Sequence, residues 1–321
     1  MSVGYAGVDL GGTRIKAALA DSQGQLIAES VCETEASHGP DHVIDRMASL
    51  VSQLTESSRV TLAAVGVGVP GLVDLGTGTT KFLPNLPTQW RDVPVAKGLG
   101  SSLKCQVRLL NDARMATLGE LSFGHGANRA GLTMAYLGLG TGVGGGVVVE
   151  GKLRLGELGA AGELGHMTVR PGGKRCGCGG RGCLETLVSG PAIAAEGHRL
   201  IHSGQAPHLA KLVRQSGRAV DTQLMAQAAE AGESSVAEIL DQVAEDLGIG
   251  IANIVTMLDP ELVVVGGGVA LIGSRLFDQV RAVVVDRVNM FPADRVAIEL
   301  SRLDDKAGMM GGVALAMNPV A

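Results

Sequence analysis

Aromatic side chains are almost missing from this 321-residue chain: one Trp, two Tyr and four Phe make up 2% of it. Its core must therefore be filled by Ala, Val, Leu and Ile, and a hydrophobic content of 45% supplies them. Basic charge is not in excess either. A formal net charge of −5, with no basic run, removes the electrostatic pull toward nucleic acid or an anionic lipid surface. No uncharged apolar run reaches the roughly 18 residues that a membrane-spanning helix needs. The opening MSVGYAGVDL lacks the basic start and apolar stretch of a secretory signal. These absences predict a cytoplasmic protein with no membrane and no nucleic-acid partner. Cysteine is scarce too, at five residues, and a reducing compartment keeps thiols from pairing.

Glycine is what the chain has in plenty: 48 residues, about twice the usual share of roughly 7%. These glycines stand at the ends of apolar runs, where tight turns or close approach of backbone to a ligand require them. The chain is long for one core, since domains hold roughly 100–200 residues, so two lobes are expected. Strands are predicted over 5–12, 14–20 and 25–32, then a helix over 40–57. The run 60–71 is apolar throughout and suits a strand buried on both faces. A strand over 106–112 and a short helix over 113–121 follow. The device of strand, glycine turn with a Thr, and strand, met at 5–20, returns at 131–151. A helix over 234–257 and a buried strand entering a glycine turn within 260–270 complete an α/β pattern. Two copies of one hairpin device suggest two related lobes facing one cleft.

Asp9-Leu10-Gly11-Gly12-Thr13 closes the first hairpin. With no side chain at Gly11 or Gly12, backbone N–H groups can approach an anion, and the Thr13 hydroxyl adds a donor. Asp9, at the strand end, can hold a Mg²⁺ or its water shell. Gly138-Leu139-Gly140-Thr141-Gly142 repeats that chemistry, and Val265-Gly266-Gly267-Gly268 offers flat backbone for a nucleotide. Each turn alone reads equally well as an ordinary hairpin. No GxxxxGK[ST] occurs, and the first turn leads into a strand rather than a helix, so neither a P-loop nor a dinucleotide fingerprint is present.

Three of the five cysteines fall within RCGCGGRGCLE, residues 175–185. His166, Cys176, Cys178 and Cys183, spaced H-x9-C-x-C-x4-C, offer one imidazole and three thiolates, a closed tetrahedral set that suits Zn²⁺. A Cys176–Cys178 disulfide would be strained, and CxxC is absent. Lys174, Arg175 and Arg181 are placed to offset the thiolate charge. Cys32 and Cys105 lie in apolar strand contexts and are expected to be buried. His166 can give one ring nitrogen to the metal and turn the other elsewhere, with Glu163 and Glu185 close by in sequence. Asn111 and Asp112 stand where a buried strand meets a helix. An Asp there is either a helix cap or, since strand ends carry the chemistry of α/β folds, a functional carboxylate.

This combination resembles the actin-like (ribonuclease H-like) ATPase fold of sugar kinases, and more narrowly the ROK group, named for repressor, open reading frame and kinase. The likeness runs from Val8 to AGMMGGVALA at 307–316. It implies a two-lobed α/β fold with a cleft and a zinc loop. The small lobe would hold 1–113 with the terminal helix 304–321, and the large lobe 114–303. The resemblance implies ATP held with Mg²⁺ by Asp9, Gly11, Gly12, Thr13, Lys16, Thr141, Gly142, Gly267 and Gly268. It implies a sugar bound by Gly71, Asn85, Asn111, Asp112, Glu163, His166 and Glu185, with Asp112 as general base. It also implies structural Zn²⁺ on His166, Cys176, Cys178 and Cys183, and a homodimer or higher homo-oligomer. Pro84-Asn85-Leu86 followed by Trp90 is more similar to glucokinase members than to kinases of N-acetylated sugars. Phosphorylation of the glucose 6-hydroxyl is the leading expectation, with mannose, fructose, N-acetylglucosamine and N-acetylmannosamine as alternatives and polyphosphate as another donor. Repressors sharing this resemblance carry a helix-turn-helix ahead of the sugar domain, for which the early phosphate hairpin leaves no room. Trp90 reads either as packing or as part of the pocket. Arg114 departs from the pattern, because many relatives have a small or amide residue there. It is either solvated or faces the cleft and alters the size of substrate accepted.

Overall fold

The glycine turns and apolar runs resolve into two five-stranded sheets built on one plan, with a small two-stranded sheet besides. The computed structural model describes residues 2–83 and 86–320, with the side chains of all of these but Thr88 and Gln89. From the N-terminus the chain forms β1 (Ser2–Leu10), β2 (Arg14–Asp21), β3 (Leu26–Glu33), α1 (Pro40–Ser58), β4 (Val60–Val69) and β5 (Leu72–Asp74). Next come β6 (Thr79–Phe82), α2 (Val95–Leu103), β7 (Gln106–Asn111), α3 (Asp112–Phe123), β8 (Met134–Leu139), β9 (Val143–Val149) and β10 (Lys152–Arg154). Helices α4 (Glu185–Val188), α5 (Gly190–His202), α6 (Pro207–Ser216), α7 (Thr222–Glu230) and α8 (Ser234–Leu258) follow. The chain ends with β11 (Leu262–Gly266), α9 (Ser274–Arg287), β12 (Ala297–Leu300) and α10 (Ala307–Met317).

The first sheet has the order β3-β2-β1-β4-β7, with β1, β2 and β3 antiparallel and β4 and β7 parallel to β1. The second has the order β10-β9-β8-β11-β12, with β8, β11 and β12 parallel. Three consecutive strands followed by two parallel ones is thus the plan of both sheets. The chain falls into two compact units: Met1–Leu132 with Gly146–Gly162 and Arg302–Ala321, and Thr133–Gly145 with Glu163–Ser301.

In the first unit, strand alternation sorts side chains to two faces of the sheet. Ala17 and Leu19 join Val43, Met47 and Val51 of α1 in one cluster, while Ala18 and Ala20 join Met309, Met310 and Val313 of α10 in another. The glycines of AGMMGGVALA have a steric cause. A Cβ on Gly311 would lie 1.7 Å from the Met115 carbonyl oxygen of α3, and one on Gly312 would lie 2.6 Å from Gly7 Cα of β1. Helix α10 therefore packs backbone to backbone, and any side chain at those positions would push it off the sheet.

In the second unit, α8 buries Val236, Leu240, Val243, Leu247, Ile251, Ile254 and Val255 along one stripe, and every residue of β11 is buried. Each such fully buried Val, Leu or Ile stabilises by about 1.5–3 kcal/mol relative to exposure.

Three local expectations change. Strand β4 is buried continuously only over 64–69, since Thr61 is exposed and Leu62 and Ala63 are half-buried. Helix α3 begins at Asp112 rather than 113, which makes Asn111 its N-cap. Cys32 and Cys105 are half-buried rather than buried. Cys32 sits on the edge strand β3, and Cys105 lies outside the strand in the bend before β7. Among the described residues no helix is long and apolar enough to cross a membrane.

Candidate active site

The first turn is braced from outside. Gly11 N–H donates to the Arg14 carbonyl at 2.9 Å and closes the hairpin between β1 and β2. Thr34, just past β3 and fully buried, donates its N–H to the Thr13 carbonyl at 2.8 Å and its hydroxyl to the Gly11 carbonyl at 2.7 Å. Both carbonyls are drawn to one side, and Gly12 and Thr13 stay exposed. Asp9 is half-buried against the first turn of α10, where a Gly308 Cβ would stand 2.7 Å from its Oδ2. Burial pushes its carboxyl above the ordinary value, and the charge of Lys16 opposes that rise. Lys16 itself donates to the Asp305 backbone carbonyl at 3.0 Å and to Asp305 Oδ2 at 3.1 Å.

Asn111 and Asp112 occupy the junction of β7 and α3. Asn111 Oδ1 accepts from the N–H groups of Ala113 at 3.0 Å and Arg114 at 3.3 Å, the cap that polar residues give a helix start. Its Nδ2 donates to the Gly71 carbonyl at 3.1 Å. Gly71 has φ +128°, and a Cβ there would fall 2.2 Å from the Phe82 carbonyl oxygen, so only glycine fits this turn. Since the capping role belongs to Asn111, Asp112 is left as a half-buried carboxylate on the first helical turn, with Oδ1 accepting from Ala113 N–H at 2.8 Å. Arg114 is 1% exposed, so the solvated reading fails. Its guanidinium donates to the carbonyls of Ala161 (2.9 Å) and Ala160 (2.7 Å) and to Asn111 Oδ1 (3.0 Å). Asn85 lies outside the described residues. Trp90 is buried in the core with φ +35°, and its indole Nε1 has no hydrogen-bond partner among the described residues.

In the second unit, the turn after β8 is closed by Gly140 N–H donating to the Gly142 carbonyl at 2.9 Å. Thr141 is exposed at its tip. Gly267, with φ +87°, follows β11 and would place a Cβ 2.4 Å from the Leu139 carbonyl oxygen at the end of β8. Because β8 and β11 are parallel neighbours, Thr141 and Gly142 share one strand-end rim with Gly267 and Gly268. The carboxyl ends of parallel strands are where open α/β sheets receive ligands.

The ligand atoms of His166, Cys176, Cys178 and Cys183 all lie within 4.8 Å of one another. Zinc bonded to sulfur at about 2.3 Å and to nitrogen at about 2.0–2.1 Å gives tetrahedral S···S edges near 3.8 Å and N···S edges near 3.6 Å. Cys178 and Cys183 sulfurs are 3.7 Å apart, and His166 Nδ1 is 3.6 Å from Cys176 Sγ. The donor set and its spacing fit a tetrahedral metal. Burial pushes the Cys183 thiol up to about 12 and raises that of Cys176, while the Gly180 N–H lowers that of Cys178. A cation entering here must displace those protons. With Nδ1 toward the thiols, His166 Nε2 points to Glu163, 3.9 Å from its Oε2. Glu185 bridges two elements: Oε2 accepts from Val143 N–H at 3.0 Å, and Oε1 accepts from the Cys176 thiol at 3.6 Å. Lys174, expected beside the thiolates, pairs instead with Glu196 at 2.9 Å.

The chain as a whole is similar to proteins of known kind. A family model described as the ROK family matches residues 5–318. The glucokinase of Thermotoga maritima is 35% identical over 96% of this chain and 96% of its own. A putative xylose repressor of Caldicellulosiruptor is 29% identical over 97% of this chain but only 77% of its own length. The ROK glucokinase of Streptomyces griseus, solved in complex with glucose and AMPPNP, superposes with a TM-score of 0.82 at 30% identity, covering 98% of this chain and 99% of that one. The chain belongs to the ROK family and is one of its sugar kinases.

Proposed function

We propose that the chain transfers the γ-phosphoryl group of ATP to the 6-hydroxyl of a hexose, glucose first, with Asp112 as general base. The observation that carries this reading is the junction of β7 and α3. There Asn111 takes the capping role and leaves the Asp112 carboxylate half-buried at a strand end. The glucose and AMPPNP bound by the Streptomyces griseus relative support the choice of substrates. In the reaction the sugar O6 attacks the γ-phosphorus while Asp112 takes its proton. The new O6–P bond forms as the bond to the β,γ-bridging oxygen breaks, and ADP leaves with that electron pair. Such transfers depend on alignment and charge neutralisation, so the base acts mainly by position.

Glu163, His166 and Glu185 accept or donate hydrogen bonds to the sugar hydroxyls, and the second N–H of Asn111 adds a donor. Gly71 and Asn85 belong to the same sugar-binding set. Gly11, Gly12, Thr13, Thr141 and Gly142 receive the phosphates, Gly267 and Gly268 the adenosine, and Lys16 lies on the nucleotide side. Asp9 orders the water shell of a Mg²⁺ that offsets phosphate charge. Zn²⁺ on His166, Cys176, Cys178 and Cys183 holds the loop and takes no part in the transfer. The setting on this reading is the cytoplasm, as a homodimer or higher homo-oligomer.

The test is ADP release from MgATP with glucose, mannose, fructose, N-acetylglucosamine and N-acetylmannosamine, for wild type and Asp112→Ala. Glucose-dependent turnover is expected, falling by about 10²–10⁴-fold in the variant. Folded, metal-loaded protein that turns over no sugar with ATP or polyphosphate would leave the second reading, a sugar-sensing regulator, which the repressor relative supports.

A further inference from the structure

A guanidinium stays charged at any working pH, so burying one demands hydrogen bonds that replace its water. At 1% exposure Arg114 meets that demand with acceptors that include two places important to the site. One is Asn111 Oδ1 at 3.0 Å, and the other is the loop after β10, through the Ala160 and Ala161 carbonyls at 2.7 and 2.9 Å.

Each contact settles something left open by local structure. The Asn111 amide has a single orientation: a flip would turn its NH₂ toward the guanidinium and toward two helix-start N–H donors. The loop is short of order of its own, since Gly156, Gly159 and Gly162 all take positive φ. A backbone bond from Ala161 N–H to the Leu155 carbonyl at 2.9 Å closes it, and Arg114 grips its two alanine carbonyls. Glu163 is the second residue after Ala161.

We propose that Arg114 is a positioning residue for the sugar. One side chain orients the amide beside Asp112 and anchors the backbone that leads into Glu163. The inference rests on the sugar-kinase reading above and adds a residue to it. Asn111 and the loop leading to Glu163 both stand on the sugar side of the proposed site and outside the phosphate turns, so the effect is expected on sugar affinity more than on ATP. A lysine, with one nitrogen, does not span the three acceptors of a planar fork.

The experiment compares steady-state kinetics of wild type, Arg114→Lys and Arg114→Ala, with melting temperature alongside. In Arg114→Lys the KM for sugar is expected to rise about tenfold while the KM for ATP stays within about twofold. Millimolar methylguanidine is expected to lower the sugar KM of Arg114→Ala, and urea at the same concentration is not. Wild-type KM values in a folded Arg114→Lys, or equal rises for sugar and ATP, overturn the proposal. Failure of Arg114→Lys to fold also overturns it, since the residue is then structural. If wild type turns over no sugar, the kinase reading falls, and glucose binding by calorimetry makes the same comparison.

Discussion

Glu185 ties two elements with one carboxylate, and Gly142 is the reason it fits. A Cβ on Gly142 would stand 2.6 Å from Glu185 Oε2, the oxygen that accepts from Val143 N–H. Gly142→Ala should therefore push the carboxylate away from the turn and from the Cys176 thiol. Expected is a several-fold rise in KM for sugar and ATP with metal content unchanged, read from steady-state kinetics and elemental analysis. Loss of the metal in that variant would show that Glu185 supports the metal loop instead. At this scale, legibility follows sequence separation. His166 and the three cysteines could be grouped from spacing because they sit on one short loop. Thr34 bracing Gly11 from 23 residues away, and Arg114 reaching Ala161 across 47, leave no local pattern. The role of Asn111 as cap was hidden for another reason: two polar residues stood at the helix start, and only geometry separates them.

At the scale of elements, the long periodic segments were readable, and the shorter helices α3 and α10 were anticipated from the strand before one and from the resemblance for the other. Helices α1 and α8 present apolar stripes over several turns, and the apolar runs of β1, β4 and β11 announce buried strands. Helices α5, α6 and α7, of 13, 10 and 9 residues, follow the cysteine loop and one another, with no apolar strand before them to mark where a helix should start. The cysteine loop is moored to α8 by a pair that no local pattern reveals. Arg170 Nε donates to Asp246 Oδ1 at 2.6 Å, with the Asp246 side chain 4% exposed. Burial raises the Asp246 carboxyl above its ordinary value, and Arg170 pulls it back. Arg170→Met removes that pull and leaves the carboxyl raised further. A raised carboxyl contributes stability that is present below its unfolded value and is lost as pH rises through the folded one. The variant is therefore expected to match wild type near pH 4 and fall behind it toward pH 8. The deficit should be about 2 kcal/mol, less than for a fully buried pair because Arg170 is 43% exposed. Denaturant unfolding across that range measures it, and a deficit that shrinks with pH contradicts the account.

For the whole molecule, the repeat of one sheet plan explains why a single device was legible twice although the two halves differ in sequence. Strand, glycine turn and strand recur because each five-stranded sheet opens on three consecutive strands that lie side by side. The candidate metal site belongs to only one half of this plan, since all four of its residues lie in the second unit. Removing the metal should accordingly be felt locally. Much of the loop's other bonding is to itself, as in Val169 N–H to the Gly182 carbonyl at 2.8 Å and Leu184 N–H to the Met167 carbonyl at 2.9 Å, while Arg170–Asp246 and Lys174–Glu196 tie it to neighbouring helices. Purified protein is expected to hold about one Zn²⁺ per chain. After chelation, amide exchange followed by mass spectrometry should quicken over residues 163–184. Peptides covering 2–10 and 307–317, locked by the backbone contacts of α10, should keep their protection. Acceleration confined to the loop identifies the metal as a local clamp, and its return on adding Zn²⁺ but not Mg²⁺ assigns the ion. Acceleration spread equally over both units would mean that the metal sustains the fold itself, and a chain purified without metal would remove zinc from the account.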